Sequence, residues 1–557
     1  MTKSCRFRTL ATFASALVLS NSAFAHDETE VAQLLAEAET ALNDGDFGAG
    51  VAGYLATARA SDSAETARQA TLTAFHFGYD QIASEAAARW LEVEPESLEA
   101  EQYRAYASLR AGDVDAATKQ MVTVINQADD DEAACEHAAD ALGRDVRAAD
   151  VGALFATLAK QLDETPCILR LAASTALANN ESDTAEKHLK RLRKIDAFGN
   201  DARLIEMSRL VRDEQSEAAF TDDSLRLDDT ATTEQRIQLA FLNARAEDTD
   251  NAMNMISQLR LEEPDNGEVM LAEGLLQLQG GDADASRRTF LSLLATGEKT
   301  PDALFYLARF AERDRRFDQA RRMYSQVEYG DLVLAAQQRV SQMIGEREGI
   351  EAGIAHIDAF VKRHPRYGLQ LSTVQAAAYA EGEYFDQALE LYDEYLEVRP
   401  NAEFAMLGRA DVLLQADRED DAIRAFRDVV KRFPDSAGAL NALGYTLADR
   451  TRKFREAEKL IDRALEKEPD NAAIIDSKGW VLFRRGRFEE ALEYLEQAWE
   501  KFPDPEVAAH LGETLWRLGR EDQSRELLQQ AWQRFPNNDH LRETIQRLLE
   551  DGPTTRS

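Results

Sequence analysis

Eight histidines, three cysteines and 101 acidic side chains are the groups in this chain that could hold a metal, move a proton or exchange a thiol. Their spacing limits what they can do. His26, His76, His137, His188, His356, His364, His510 and His540 are scattered. None forms a His-Glu-x-x-His pair, which would put two zinc ligands on one helical face. No phosphate loop, dinucleotide fingerprint or nucleophile elbow occurs. The densest acidic run, Asp129-Asp130-Asp131-Glu132, lacks the glycine and the ligand spacing of a calcium loop, and reads as a solvated turn. The expectation is a chain with no catalytic residue, no metal ligand and no cofactor, and not an enzyme.

The elements that would carry these residues are helical. Gly and Pro together are 40 of 557 residues, about 7% against roughly 12% in average proteins, and turn-rich β folds consume both. The formal charge is −36, with 65 basic side chains, so a nucleic-acid partner is not expected: phosphate contacts need Lys and Arg. The charge is uneven. Residues 351–557 carry 29 basic and 40 acidic side chains; residues 26–350 carry 33 and 61. A partner with a basic face is expected toward the first part.

Residues 1–25 read as a secretory signal. Lys3, Arg6 and Arg8 precede an apolar run from Leu10 to Leu19, and Ala23-Phe24-Ala25 is a small-x-small cleavage site. The other reading is a buried N-terminal helix. The run is short of the ~20 residues a spanning helix needs, and no later run is longer. Cys5 lies upstream of the apolar run, where a lipoprotein cysteine would not be. The expectation is an exported, periplasmic chain of a Gram-negative envelope, with no transmembrane segment and no lipoprotein cysteine.

A fixed period runs through the chain. Pro365, Pro400, Pro434, Pro469, Pro503 and Pro536 recur at intervals of 33 to 35. Proline cannot continue a helix, so each marks the end of a helical unit. Twelve residues before them lie Gly353, Ala388, Ala422, Ala457, Ala491 and Ser524. Four residues further on are Ile357, Tyr392, Phe426, Ile461, Leu495 and Leu528. The i, i+4 spacing puts the small and the large residue on one helical face. Gly444, Gly479 and Gly512 recur inside the first helix of the unit, and Gly382, Gly486 and Gly519 suit the turn between helices. Ala320, Ser286, Ala252, Ala219, Ala185, Val151, Ala117, Ala83 and Gly50 extend the small phase upstream. The pattern is weak over 130–250, where degenerate repeats are expected rather than an inserted domain. The organisation read this way is 1–25 signal, 30–265 degenerate hairpins, 266–536 regular array, and 537–550 a capping helix held by Asn538 or Asp539.

"NALGYTLADRTRKFREAEKLIDRALEKEPD" and "DSKGWVLFRRGRFEEALEYLEQAWEKFPD" carry these marks together. The pattern resembles the tetratricopeptide repeat. The resemblance implies an all-α fold, an α-solenoid whose helical hairpins stack into a right-handed superhelix with a concave face lined by first helices. The family's groove positions fall here on Phe404, Leu407 and Asp411; Asn441 and Tyr445; Asp476, Trp480, Phe483 and Arg484; and Ala509, Glu513, Trp516 and Arg517. Such a mixed aromatic and charged lining suits a protein-binding groove; the aromatics packing between hairpins is the alternative. The Lys/Asn set of the carboxylate clamp is absent.

The C-terminal repeats, with "NALGYTLADR" and "FPDPEVAAHLGETLWRLGR", also look like the tetratricopeptide adaptor of carboxyl-terminal processing proteases. That resemblance implies a non-catalytic scaffold binding such a serine protease and presenting envelope substrates, notably cell-wall hydrolases. An assembly or secretion factor for an envelope polysaccharide or outer-membrane complex is the alternative. In the repeat frame Cys135 and Cys167 fall near the starts of first helices in adjacent units. A disulfide requires their α-carbons within ~7 Å; two buried thiols are equally compatible with the sequence.

Overall fold

The computed structural model describes residues 25–128, 135, 146–162, 165–195, 197–536 and 538–550. The expected signal before residue 25 and the acidic run at 129–132 lie outside them. The described residues form thirty α-helices and no strand, an α-solenoid of antiparallel helical hairpins. None of these helices is long and apolar enough to cross a membrane.

The repeat works by close approach of backbones. Every small-phase residue from Gly50 to Ser524 is buried, except Val151, which is half-buried. A Cβ on Gly444 would lie 2.7 Å from Ile461, one on Gly479 2.5 Å from Leu495, and one on Gly512 2.7 Å from Leu528. Each contact is with the large residue four positions after the small one, so glycine in the first helix makes room for it. Burying such a side chain contributes roughly 1.5–3 kcal/mol, more than the ~1 kcal/mol that glycine costs a helix. Where serine replaces alanine at the small phase, its hydroxyl donates to the glycine carbonyl opposite. Ser286 Oγ lies 2.7 Å from Gly274 O, and Ser524 Oγ 2.7 Å from Gly512 O.

The prolines stand two residues past the second helices. Helices Phe385–Val398, Glu419–Arg432, Phe454–Lys467, Phe488–Lys501 and Glu521–Arg534 end just before Pro400, Pro434, Pro469, Pro503 and Pro536. Between paired helices one residue takes a left-handed conformation. Gly486 and Gly519 do so as the spacing suggested, with φ of 77° and 74°. Gly382 does not; Glu383 holds that position with φ of 64°. Asn180, Glu214, Glu247, Arg315 and Asp417 do the same, so the turn tolerates side chains at a modest steric cost.

The weak stretch of the pattern has a physical cause. Helix Asn200–Arg212 pairs with a helix of only six residues, Ser216–Thr221, followed by a 3-10 turn at Asp223–Leu225. A truncated second helix has neither a terminal proline nor the usual large residue. Hairpins continue across residue 265, where helix Thr249–Glu262 packs on Gly267–Gln279. Cys135 and Cys167 are joined as a disulfide with α-carbons 6.1 Å apart. At the C-terminus Asn538 Oδ1 accepts from the Leu541 amide and caps helix Asp539–Ile545, which continues as a π-turn, Gln546–Glu550.

The chain divides into two compact units. The first is 1–378 with 397–400; the second is 379–396 with 401–557. Inside the first, Asp80 is buried between two guanidinium groups, 3.0 Å from Arg110 Nε and 3.5 Å from Arg399 Nε. Arg399 also donates to Gly78 O at 3.3 Å. A carboxylate out of water needs such partners, since an unpaired buried charge costs several kcal/mol.

Candidate functional site

In the second unit the first helices are Glu403–Gln415, Ala437–Arg450, Ala472–Arg484, Pro505–Arg517 and the terminal Asp539–Ile545. Ser436, Asn471, Asp504 and Asn538 start four of them, each side chain accepting a backbone N–H of the first turn. From Ala437 onward each first helix packs on the next first helix as well as on its own partner. Side chains at one phase of successive first helices therefore meet.

They meet around His510. Its Nδ1 lies 3.0 Å from each carboxylate oxygen of Asp476, and both side chains are buried. Burial alone would push the His510 imidazole down. The Asp476 carboxylate beside it, helped by Glu506 and Glu513, more than offsets this and holds its pKa above the ordinary histidine value. The Trp480 ring stacks on His510 at 4.1 Å and 15° and on Phe483 at 4.9 Å and 9°. The Tyr445 ring lies 6.2 Å from His510, and its hydroxyl donates to Glu506. Burial, then the Glu506 charge, push the Tyr445 phenol up.

The expected lining residues separate into three groups. Asp476, Trp480, Phe483, Ala509 and Glu513 are buried rather than open to solvent, because neighbouring first helices close over them. Glu513 is paired with Arg547. Leu407, Asn441, Tyr445, Arg484 and Trp516 are half-buried. Of these, Arg484 donates to Asp449 O at 2.7 Å and lies 5.6 Å from the Phe454 and Trp480 rings, so it is already engaged. Phe404, Asp411 and Arg517 are exposed. Phe404 meets Tyr395 edge-on at 5.4 Å and remains 56% exposed. Arg517 makes no ion pair among the described residues. Asp411 keeps contact with solvent, yet the surrounding protein crowds it enough to raise its pKa to about 6.

Two polar atoms on this face lack a hydrogen-bond partner among the described residues. Trp480 Nε1 and Asn441 Oδ1 are both cut off from solvent, and neither makes a hydrogen bond. Leaving such atoms unsatisfied costs about 1–3 kcal/mol each.

Sequence reasoning set His510 aside with the scattered histidines. The signal was its separation from Asp476, one repeat length, which places both at one phase of adjacent first helices. Lys478 was also missed. It is buried, with Nζ 3.1 Å from Glu458 and 2.5 Å from Asp462.

Tetratricopeptide-repeat family models match residues 245–330, 373–437, 407–472 and 482–548. A TPR repeat-containing protein of Pseudomonas aeruginosa is 43% identical over 249 residues, 44% of this chain and 42% of that protein. The rat mitochondrial import receptor subunit TOM70 is 25% identical over 117 residues, 21% of this chain and 19% of the receptor. An uncharacterised Sinorhizobium fredii protein is 33% identical over 98 residues, 18% of this chain and 53% of that one. The chain thus spans about half or less of the curated relatives it matches. Among solved structures, yeast Tom70 aligns with a TM-score of 0.35 at 12% identity, over 93% of this chain and 94% of that one. A TPR protein of Thermus thermophilus aligns with a TM-score of 0.30 at 22% identity, over 32% and 99%.

Proposed function

We propose that this chain, whose residues 245–330, 373–472 and 482–548 are tetratricopeptide repeats, is a non-catalytic scaffold that binds protein partners through the first-helix face of its second unit. The observation that carries the reading is the side-by-side packing of successive first helices from Ala437 onward into one face, with Arg517 on it exposed and in no ion pair among the described residues. Aromatic and arginine side chains left exposed, here Phe404 and Arg517, are of the types enriched at protein-binding hot spots.

The finer reading is an exported adaptor in the cell envelope. It binds a carboxyl-terminal processing serine protease and presents envelope substrates, notably cell-wall hydrolases. The N-terminal signal pattern supports export, and so does the Cys135–Cys167 bridge, which persists in an oxidising compartment. The sequence likeness of 441–450, 476–495 and 502–520 to the protease adaptors supports the partner. Affinity capture from envelope fractions tests it. Recovery of a carboxyl-terminal processing protease, reduced by Arg517→Glu, is the expected result. Recovery of polysaccharide synthase or porin components alone overturns the adaptor reading and favours an assembly factor.

A further inference from the structure

A cavity lies in the first unit, far along the sequence from the His510 cluster. Helices Gly267–Gln279, Thr300–Arg313 and Val333–Glu348 are the first helices of three consecutive hairpins. The cavity, of about 840 Å³, borders all three, touching Leu278 on the first, Phe305 to Arg313 on the second and Gln338 on the third.

Its floor is aromatic and held in place. Tyr306 stacks on Phe290 at 4.9 Å and 9°. Phe305 meets Tyr306 edge-on at 5.6 Å and Tyr324 at 5.4 Å. Rings fixed against one another lose little entropy when a ligand covers them.

Its rim is cationic. Arg309, Arg313 and Arg315 are exposed, and among the described residues none is in an ion pair. Several neighbours outside the cavity are paired: Arg287 and Arg316 with Asp314, Arg321 with Glu348, and Arg347 with Asp318. The one carboxylate bordering the cavity, Glu312, is already occupied. It accepts from Arg339 Nε at 2.7 Å and from the Tyr324 hydroxyl at 3.2 Å. Residues 301–350 carry eight arginines and eight acidic side chains, a neutral island in a half-chain, 26–350, of 33 basic and 61 acidic residues. Arg309 lies over the Tyr306 ring at 5.9 Å and Arg313 over the Phe310 ring at 5.2 Å, so three guanidiniums without a carboxylate partner converge on one aromatic cavity.

We propose that this cavity binds an acidic segment of a partner polypeptide. Carboxylates of the segment pair with Arg309, Arg313 and Arg315, and one apolar side chain rests on the Phe305 and Tyr306 rings. Three first helices at the usual 8–10 Å spacing span about 20 Å, and an extended chain covers that with about six residues at ~3.3 Å each. Arginine's planar fork suits bidentate carboxylate capture, and its stacking suits the aromatic floor. The site is separate from the second-unit face, and neither depends on the other.

The test is fluorescence anisotropy on the full chain. The probe is a fluorescein-labelled peptide with glutamates flanking one phenylalanine; the control peptide has glutamine at each glutamate. The glutamate peptide should bind at least about tenfold tighter than the control, and more weakly as salt rises. The double variant Arg309→Glu/Arg313→Glu should lose at least about tenfold in affinity, while Arg321→Glu, outside the cavity, should bind as the parent does. These arginines are solvent-exposed, so the variants fold. Equal binding of both peptides, or unchanged binding by the double variant, overturns the proposal. So does tighter binding of a single-stranded oligonucleotide than of the glutamate peptide. Self-association of the chain that the double variant abolishes, without peptide binding, would overturn it too and assign the cavity to a second copy instead.

Discussion

His510 Nδ1 sits equidistant from the two carboxylate oxygens of Asp476, 3.0 Å from each, with the Trp480 ring stacked over the imidazole at 4.1 Å. The pair ties helix Pro505–Arg517 to helix Ala472–Arg484 by a charged contact inside the array. Its partners on adjacent elements are the Tyr445–Glu506 hydrogen bond and the Glu513–Arg547 pair. The aromatic face of the second unit is therefore built around an ionisable centre.

Stability of the second unit should fall with rising pH. The folded-state pKa of His510 is raised, so its contribution is fully present below the ordinary histidine value of about 6.5. It is lost as pH rises through the raised value. His510→Ala should remove this dependence and, by leaving Asp476 buried without its partner, cost about 3–5 kcal/mol. Urea unfolding followed by tryptophan fluorescence from pH 6 to 9 measures both.

Gly479→Ala should destabilise although alanine is the better helix former. The new Cβ meets Leu495 Cγ at 2.5 Å and the Ala491 carbonyl oxygen at 3.2 Å. Overpacking costs about 1–3 kcal/mol, against a propensity gain of about 1 kcal/mol. Leu495→Ala added to Gly479→Ala should relieve the clash, so the two losses should add to less than their sum in a double-mutant cycle.

These two sites show what could be read in advance. Glycine, small and large residues return at one phase because backbones must approach there, and the contact between Gly479 and Leu495 is local to one hairpin. The proline period is legible for the same reason. The Asp476–His510 pair is periodic too, but a single histidine among eight gives no phase until its partner is known. The Asp80–Arg399 contact joins parts of the chain many repeats apart and leaves no trace in spacing. The burial of Trp480 and Glu513 depends on how closely consecutive first helices pack, which repeat position alone does not determine.

Reduction should loosen the middle of the first unit. The Cys135–Cys167 bridge closes a loop with a sequence separation of 32. Such a loop contributes about 3–4 kcal/mol by constraining the unfolded chain. Thermal unfolding with and without reductant should show a lower first transition when reduced, and Cys135→Ser/Cys167→Ser should match the reduced form.

Asp411→Asn should stabilise the second unit modestly at pH 7. The fold raises the Asp411 pKa from 3.8 to about 6, so ionisation works against folding between those values and above. Asp411 is solvent-exposed, and screening limits the gain to under about 1 kcal/mol. The gain should vanish below about pH 4, where the parent carboxyl is protonated; urea midpoints at pH 7 and pH 4 check the sign.

The claim that the first-helix face of the second unit binds a protein partner is tested most directly by site-specific photo-crosslinking in living cells. The crosslinking residue replaces Phe404 or Arg517 on that face, or Gln497, exposed on the second helix Phe488–Lys501. The expected result is one protein adduct shared by the Phe404 and Arg517 positions and absent at Gln497. The same adduct at all three positions, or an adduct at Gln497 alone, would contradict it.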